Sequence, residues 1–251
     1  MTRPSSHFLR AVLRWVVVCA VMALSLQVYF VLRIALMTVV DPGSTAFQRS
    51  EAWRLLTETH ELRWRQDWVP QERMASSLKR AVLASEDAAF VDHSGVEWDA
   101  IEKAWERNQT AQARAQRNRP APGGKKVEAK VVGGSTITQQ LAKNLFLSGE
   151  RTVVRKGQEL VLTWMLEGLL SKRRILEIYL NSVEWGEGVF GAQAAAQHYF
   201  RVDAAQLSPS AAARLAVMLP APKRFEKRPT SDYLAQRTQS IMARMGGVEL
   251  P

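Results

Sequence analysis

The sequence has few of the residues that build disulfides and metal centres. Its single cysteine, Cys19, lies in the most apolar part of the chain, so neither a disulfide framework nor a cysteine-ligated metal site can form within it. No histidine belongs to an HExxH pattern, and the four are far apart in sequence, which argues against a histidine-bound zinc ion. These histidines are His7, His60, His93 and His198.

Acidic residues are missing from the first 40 positions, which hold four arginines instead. Residues 15–32 form an uncharged, mostly apolar run, and apolar residues resume after one arginine. A membrane-spanning helix needs about 20 such residues, so we predict a signal-anchor helix at 13–40. Because three arginines precede the run, the positive-inside rule predicts a cytoplasmic tail at 1–12. A cleaved signal peptide is the alternative, but its apolar region normally spans about 7–15 residues.

The chain is basic, with a formal net charge of +10. Beyond residue 40 it keeps 30 basic and 24 acidic residues, a net charge of +6. A basic balance favours anionic partners such as nucleic acid, anionic lipid or a phosphorylated substrate. Since a membrane tether would hold this surface beside a bilayer, we expect lipid headgroups or a lipid-linked substrate rather than nucleic acid.

Alternating strand patterns are nearly absent, whereas helical spacing of apolar residues recurs along the chain. We therefore predict an all-α fold, with a juxtamembrane linker and interfacial segment at 41–69 and one domain at 70–245. Residues 107–131 contain prolines, glycines and many basic residues, which predicts a flexible basic loop. This loop is either a solvated linker or a strap on anionic headgroups. The helical patterns span 98–113, 135–147, 155–181, 190–199, 208–218 and 231–245.

Residues 186–191 read GEGVFG and match the G-x-G-x-x-G pattern of dinucleotide-binding loops. Such a loop follows a strand in a βαβ unit, yet the residues before it have helical spacing. We interpret the match as a glycine-rich turn between helices and not as a cofactor site.

Two adjacent carboxylates, Glu86 and Asp87, stand in an otherwise apolar stretch. The helical spacing of Leu78 and Val82 predicts that Glu86 lies at the C-terminal end of a helix, where the helix dipole disfavours ionisation. Partial burial would raise its pKa further, which suits proton transfer near neutral pH. Taken alone, the pattern also fits an ordinary solvated helix end.

A glycine pair opens a second helix, in the stretch GGSTITQQLAKN. Ser135 or Thr136 can cap this helix, and a glutamine three residues after Thr136 completes a capping box. Thr136, Gln140 and Lys143 fall together on one face. A capped helix start with free N–H groups, hydroxyls and a lysine can bind an anion. An ordinary capped helix without a ligand is the alternative.

Arg155 and Glu159 are four residues apart in the stretch RKGQE. This spacing commonly gives a surface ion pair worth about 0.2–0.5 kcal/mol. Glu159, however, begins a long apolar helix, which draws the carboxylate inward. A carboxylate held there beside Arg155 and Lys156 predicts a charged cleft.

Five stretches, taken in order, resemble the five sequence blocks of the peptidoglycan glycosyltransferases. This family includes the N-terminal modules of bifunctional penicillin-binding proteins and the monofunctional biosynthetic transglycosylases. The resemblance covers roughly residues 70–225, and no Ser-x-x-Lys transpeptidase context follows, so we expect the monofunctional type. The stretches are EDAAFVDHSG, GGSTITQQLAKN, RKGQE, KRRILEIYLNSVEWGEGVFGAQAAAQHYF and LSPSAAARLAVMLPAPKRF.

The resemblance implies a lysozyme-like α-helical fold and an enzyme that polymerises lipid II, a disaccharide-pentapeptide on undecaprenyl pyrophosphate. The growing glycan would be the donor and lipid II the acceptor, and a β-1,4 link would form with inversion as undecaprenyl pyrophosphate leaves. With the predicted anchor, it implies a single-pass inner-membrane protein with a periplasmic catalytic domain. The implied partners are lipid II, the glycan strand, the membrane and cell-wall synthesis or division proteins, with no nucleic acid.

Carried over by motif position, Glu86 resembles the general base that takes the proton from the acceptor 4-hydroxyl. Asp87 resembles the adjoining acid of the same block, which supports the site and is counted among the substrate-binding residues. Glu159 resembles the second carboxylate, which acts on the donor side and is the candidate ligand of a divalent cation, Mg or Mn. The other implied site residues hold the pyrophosphate or shape the cleft. They are Lys143, Arg155, Lys156, Ser135, Thr136, Gln139 and Gln140.

Two residues depart from the family pattern. Phe190 stands where a tyrosine often precedes the glycine, so a hydroxyl contact is missing or unneeded. Ala211 stands where an acid is frequent, which puts a structural ion pair in doubt.

The sequence leaves two other functions open. A membrane-anchored muramidase that cleaves glycan would need an acid facing the glycosidic oxygen, but not cations directed at a pyrophosphate. A non-catalytic cell-wall scaffold would bind anionic lipid or cell-wall enzymes through its basic surface, and it would tolerate Glu86→Gln.

Overall fold

The computed structural model describes residues 6–117, 134–147, 149–150 and 152–251. Within these ranges the chain is mainly helical, which confirms the predicted all-α class, and it adds three very short strands. The helices are α1 (Ser6–Leu36), α2 (Ala46–Arg54), α3 (Ser76–Glu86), α4 (Trp98–Arg117), α5 (Ile137–Phe146), α6 (Val153–Leu169), α7 (Lys172–Ser182), α8 (Ala192–Phe200), α9 (Pro209–Met218), α10 (Pro222–Glu226) and α11 (Asp232–Met245). The strands are β1 (Arg65–Gln66), β2 (Glu184–Gly186) and β3 (Val189–Phe190).

Helices α3, α9 and α11 pack on one another and form the centre of the domain. On α3 the apolar residues recur at helical spacing, and Leu78 and Val82 are completely buried. Leu215 of α9 and Ile241 of α11 are completely buried in the same core. Since burial of one such side chain contributes roughly 1.5–3 kcal/mol, this three-helix core fixes the end of α3, where Glu86 stands.

The first helix is long and apolar enough to span a membrane over Arg10–Leu36, and it is the one such helix in the described chain. Its apolar side chains between residues 12 and 26 are largely exposed, as expected of a surface that faces lipid. Near its C-terminal end, Phe30, Ile34 and Met37 are instead buried in the domain core. The anchor is therefore attached to the domain along its last turns.

Arginines hold the C-terminal end of α1 in place. Arg174 of α7 donates to the carbonyl oxygen of Met37 at 2.8 Å and pairs with Asp41 at 2.6 Å. A cation at this end of a helix also interacts favourably with the helix dipole. Arg33 lies over the ring of Phe146, with its Cζ 5.5 Å from the ring centroid. These contacts join the anchor to α5 and α7.

The segment at 41–69, predicted as a juxtamembrane linker and interfacial segment, is hydrogen-bonded to the domain. The side chain of Gln48 on α2 is buried and donates to the carbonyl oxygen of Ser182 at 3.3 Å. The Asn181 amide pairs with the backbone of Val69 in both directions, at 3.0 and 2.9 Å. Buried polar groups need such partners, and these bonds make the segment part of the fold.

The glycine-rich match at 186–191 is a tight β-hairpin between α7 and α8. Strand β3 lies between β1, which is parallel to it, and β2, which is antiparallel. Gly188 has φ +70°, and a Cβ there would lie 1.9 Å from the carbonyl oxygen of Arg63. The expected turn is present, but it joins strands and not helices.

The departure at Phe190 is explained by its surroundings. Its ring stacks on Trp64 at 4.4 Å between centroids and meets Phe47 edge-on at 6.3 Å. The side chain is completely buried, and a tyrosine hydroxyl at this depth would need a partner. Ala211, at the start of α9, is half-buried against the core.

The predicted loop at 107–131 begins later than expected, because α4 continues to Arg117. The last turns of α4, RNQTAQARAQR, are rich in alanine, glutamine and arginine. These residues have high helix propensity, which outweighs the repulsion between the positive charges of the stretch. Residues 118–131 lie outside the described residues.

Candidate active site

A cleft with a volume of about 570 Å³ opens beside the core. It is lined by α2, α5, α6, the start of β2 and the chain between α9 and α10. Seven of the ten residues predicted for the site line it, although they come from two separate stretches of sequence. They are Ser135, Gln139, Gln140, Lys143, Arg155, Lys156 and Glu159.

The N-terminus of α5 has the predicted capping box. The Thr136 hydroxyl accepts the backbone N–H of Gln139 at 3.2 Å, and the Gln139 side chain accepts the backbone N–H of Thr136 at 3.1 Å. Thr136 also donates to the carbonyl oxygen of Gly95 at 2.6 Å and is only 3% exposed, so it stands behind the cleft wall. This cap fixes the helix turn that carries Gln140 and Lys143.

Glu86 is the last residue of α3, as its spacing predicted, and it is half-buried. The Gln140 amide donates to its Oε2 at 3.0 Å, and the Tyr179 hydroxyl donates to the Gln140 oxygen at 2.9 Å. Because Tyr179 occupies the amide oxygen, the amide nitrogen must face the carboxylate. Tyr179 thus orients Gln140, which lines the cleft, and Gln140 orients Glu86, which is bonded to this wall but is not itself among the lining residues.

Burial raises the pKa of Glu86, and the neighbouring charge of Asp87 adds to this effect, while hydrogen bonds from Gln140 and Ser85 oppose it. A carboxylate that is harder to keep ionised is a stronger proton acceptor. A carboxylate with a raised pKa has the chemistry that a general base needs to accept a proton from a hydroxyl.

Asp87 points away from the cleft, although it was expected among the substrate-binding residues. It is 4% exposed, and its Oδ2 accepts the backbone N–H of Ile137 at 2.9 Å, the first residue of α5. Its Oδ1 is 2.8 Å from Nε2 of His93. A carboxylate at a helix N-terminus satisfies a free donor and the dipole, so Asp87 joins the end of α3 to the start of α5.

Asp87, His93 and Glu97 bring three possible metal-ligand atoms within 4.8 Å of one another. The backbone N–H of Gly95, however, donates to Nδ1 of His93 at 3.1 Å. Neutral histidine carries one proton, which must then be on Nε2, where it is donated to Asp87. The cluster is a hydrogen-bonded pair with a nearby acid and does not suit a cation.

Glu159 lies on the first turns of α6, a helix capped by Thr152. It is 4% exposed, with Oε2 accepting from Arg155 at 2.9 Å and Oε1 in close contact with the Lys156 ammonium. The spacing of three and four residues brings both cations onto the carboxylate, as predicted from RKGQE. The pairing was expected, but the depth of burial is set by packing of α6 on α5.

Lys143 stands across the cleft from α6, on α5. Although the residue as a whole is solvent-exposed, burial of its amine between the cleft walls lowers its pKa. The carboxylate of Glu159 opposes this shift, and the charges of Arg155 and Lys156 add to it. Three cations facing one carboxylate leave this end of the cleft positive, and it therefore suits an anion with several oxygens.

The same charges make Glu159 a poor ligand for the divalent cation that the resemblance implied. Both of its oxygens are taken by Arg155 and Lys156. Mg²⁺ and similar ions require several oxygen ligands and little competing positive charge. The donor set at Glu159 therefore does not fit a divalent ion.

Three residues at the site were missed by the sequence analysis. Tyr179 is on α7, and Glu184 lines the cleft at the start of β2, with its Oε1 3.4 Å from the Lys223 ammonium. Burial raises the pKa of Glu184 to about 7; the charge of Glu51 adds to this, and Lys223 opposes it. An acid between the apolar residues Val183 and Trp185 was the signal available in the sequence.

Comparison with known proteins decides the family. The sequence profile of the transglycosylase family matches residues 54–246, which include the cleft-lining residues from Ser135 to Pro222. The chain belongs to the transglycosylase family. Three relatives, all called biosynthetic peptidoglycan transglycosylase, are similar over nearly their full length. They are from Burkholderia thailandensis (54% identity, 96% of this chain and 90% of the relative), Burkholderia pseudomallei (54%, with the same coverage) and Paraburkholderia xenovorans (51%, 93% and 91%).

The transglycosylase assignment confirms the resemblance drawn from the five sequence blocks. The protein is a glycosyltransferase of peptidoglycan synthesis with a lysozyme-like helical domain. Its single apolar N-terminal helix fits a membrane anchor.

Proposed function

We propose that this transglycosylase polymerises lipid II into β-1,4-linked glycan strands and releases undecaprenyl pyrophosphate. One observation carries the proposal: the Glu86 carboxylate is hydrogen-bonded to Gln140 on the cleft wall, and Lys143, Arg155 and Lys156 line the same cleft. A transfer from a lipid pyrophosphate needs these two features together, because the nucleophile must lose a proton and the leaving group gains charge.

In the proposed step, Glu86 accepts the proton of the acceptor 4-hydroxyl while that oxygen forms a bond to C1 of the donor sugar. The bond between C1 and the pyrophosphate oxygen breaks on the opposite face, which inverts C1. Glu86 does not have to move, because Gln140 and Tyr179 hold its orientation. A base fixed in this way needs little reorganisation when the reaction occurs.

The leaving pyrophosphate takes the electron pair of the broken bond, and Lys143 and Arg155 stabilise its charge. Glu159 keeps the cations correctly spaced, since both of its oxygens bind them in the free enzyme. Arginine and lysine suit different tasks here, because arginine can bind two oxygens in a fixed plane and lysine acts as a point charge.

The anchor supports a lipid-linked substrate. Helix α1 packs on α6, the helix that carries Arg155, Lys156 and Glu159. A prenyl chain can therefore remain in the bilayer while its pyrophosphate reaches the cationic end of the cleft. We propose a single-pass inner-membrane protein with a cytoplasmic N-terminus and a periplasmic catalytic domain, in keeping with the arginines before the span. Proteins of cell-wall synthesis or division are proposed as its further partners.

Incubation of the purified full-length protein with lipid II in detergent tests the proposal. The expected product is a ladder of glycan chains with release of undecaprenyl pyrophosphate. A second incubation with preformed glycan tests the muramidase alternative, for which soluble fragments are the expected product. Fragments without polymer would contradict the proposal, and inactivity in both incubations would favour the scaffold alternative.

A further inference from the structure

Besides the cations, the wall of the cleft contains a buried acid to which the proposed step gives no task. Glu184 begins β2, lines the cleft and is 6% exposed. Its backbone is held in the hairpin, whose three β2 residues are all buried. A charged residue in such a position is uncommon unless it is fully paired.

The pairing of Glu184 is incomplete. Its Oε1 is buried without a hydrogen-bond partner among the described residues. The nearest cation, Lys223, lies 3.4 Å away, beyond the roughly 2.7–3.2 Å of ordinary N–H···O bonds. Lys223 instead makes a close contact with Oε1 of Glu51 on α2. Lys223 thus lies between two carboxylates and bonds to that of Glu51 rather than to that of Glu184.

A buried acceptor without a hydrogen bond costs free energy in the empty site. A ligand that supplies a donor removes this cost. Because the oxygen lies on the wall of a substrate cleft, the donor can come from the substrate. We propose that Glu184 is a substrate-binding residue that hydrogen-bonds a hydroxyl or amide N–H of the neutral saccharide.

Charge decides which part of the substrate meets this wall. Lys143, Arg155 and Lys156 line the α5 and α6 side and suit the pyrophosphate, whereas a carboxylate repels phosphate. The cleft is also lined by Leu219, Pro220 and Pro222, and α10, which begins at Pro222, packs on β2; these apolar surfaces suit the C–H faces of a sugar ring. The saccharide is therefore the part that fits Glu184. This inference rests on the proposed function and adds the recognition of the sugar to it.

The protonation of Glu184 agrees with a neutral ligand. Its pKa of about 7, raised mainly by burial, leaves both forms populated near neutral pH. The ionised carboxylate accepts from a hydroxyl or an amide N–H, and the protonated form can also donate. A neutral sugar can be bound by either form.

The test compares Glu184→Leu and Glu184→Gln with the full-length wild type, using lipid II as substrate. We expect Glu184→Leu to raise KM about tenfold, because one hydrogen bond to the substrate is lost. The change in kcat should be smaller. The glutamine variant can still hydrogen-bond, so its KM should stay within about threefold of wild type. A matched control is Glu187→Leu on the same hairpin, since Glu187 pairs with Arg54 outside the cleft.

A binding measurement separates this inference from the proposed function. Glu184→Leu should weaken binding of an N-acetylglucosamine–N-acetylmuramic acid disaccharide that lacks pyrophosphate by about tenfold. Binding of a polyprenyl pyrophosphate that lacks sugar should be unchanged. Neither probe requires turnover, so the binding result can be interpreted even if the wild type makes no polymer from lipid II. A wild type that makes no polymer would overturn the proposed function but not the role of Glu184. Unchanged disaccharide binding, or equal loss of both probes, would overturn the role of Glu184.

Discussion

The side-chain amides of Gln27 and Gln158 donate to each other's oxygens, both at 3.1 Å. Gln27 lies inside the apolar span of α1, and Gln158 is the residue before Glu159 on α6. The pair is half-buried where anchor and domain meet. In an apolar environment each amide depends on the other for its hydrogen bonds, so the pair links the anchor to the helix that carries the cations.

Replacement of Gln27 by leucine should therefore weaken the docking of α1. The expected loss is about 0.6–2 kcal/mol of stability in lipid bilayers, because the Gln158 amide loses its partner. Thermal unfolding of full-length protein in nanodiscs measures this. A double-mutant cycle with Gln158→Leu is the control, and the double variant should recover part of the loss. Additive losses from the two single changes would contradict a direct pair.

The Tyr179 hydroxyl bonds to Gln140, and Gln140 bonds to Glu86. This chain of hydrogen bonds predicts that Tyr179→Phe changes the kinetics. Without the hydroxyl, the Gln140 amide is free to rotate its oxygen toward Glu86, which misorients the base. We expect kcat to fall about tenfold, the size of one lost hydrogen bond, with KM for lipid II little changed. Tyr233→Phe is a matched control, since Tyr233 is exposed and stacks on Phe225. A change in KM alone would assign Tyr179 to substrate binding instead.

Burial of Glu86 predicts that this carboxylate lowers the stability of the folded protein at high pH. Because its pKa in the folded state is raised above the usual value of 4.5, folding favours the protonated form. The stability from this group is complete below pH 4.5 and is lost as the pH rises through the raised pKa. Glu86→Gln should therefore be more stable than wild type at pH 8, with the difference vanishing near pH 4. Thermal unfolding at both pH values measures it, and a lower stability of the variant at pH 8 would contradict the prediction.

The positive end of the cleft predicts that Lys143→Ala weakens recognition of the pyrophosphate. A hydrogen bond to a charged group contributes about 1.5–3 kcal/mol, so KM for lipid II should rise roughly ten- to a hundredfold. A polyprenyl pyrophosphate should inhibit the variant less than wild type by a similar factor. Lys227→Ala, at an exposed position outside this cleft, serves as the control. Equal inhibition of both proteins would remove Lys143 from the pyrophosphate site.

Local spacing made part of the site predictable. The capping box at Thr136 and the ion pairs of Glu159 each depend on residues three or four apart, which a helix brings together whatever its surroundings. The five sequence blocks then identified the family before any geometry was available.

Other features of the site depend on contacts between residues that are far apart in sequence, so they could not be predicted. Tyr179 is 39 residues from Gln140, and Glu184 and Lys223 meet only because β2 and α10 are neighbours. The inward direction of Asp87 follows from the docking of α5 on the end of α3, which no local pattern encodes. Strands of two or three residues, such as β1, are too short to show alternation.

The central claim is that Glu86 removes the proton of the attacking hydroxyl. The most direct test measures lipid II polymerisation and lipid II binding by purified full-length Glu86→Gln, with Glu72→Gln as an exposed control. The account predicts no detectable glycan from Glu86→Gln, near wild-type binding of lipid II by that variant, and normal polymerisation by the control. Near-normal glycan synthesis by Glu86→Gln would contradict it.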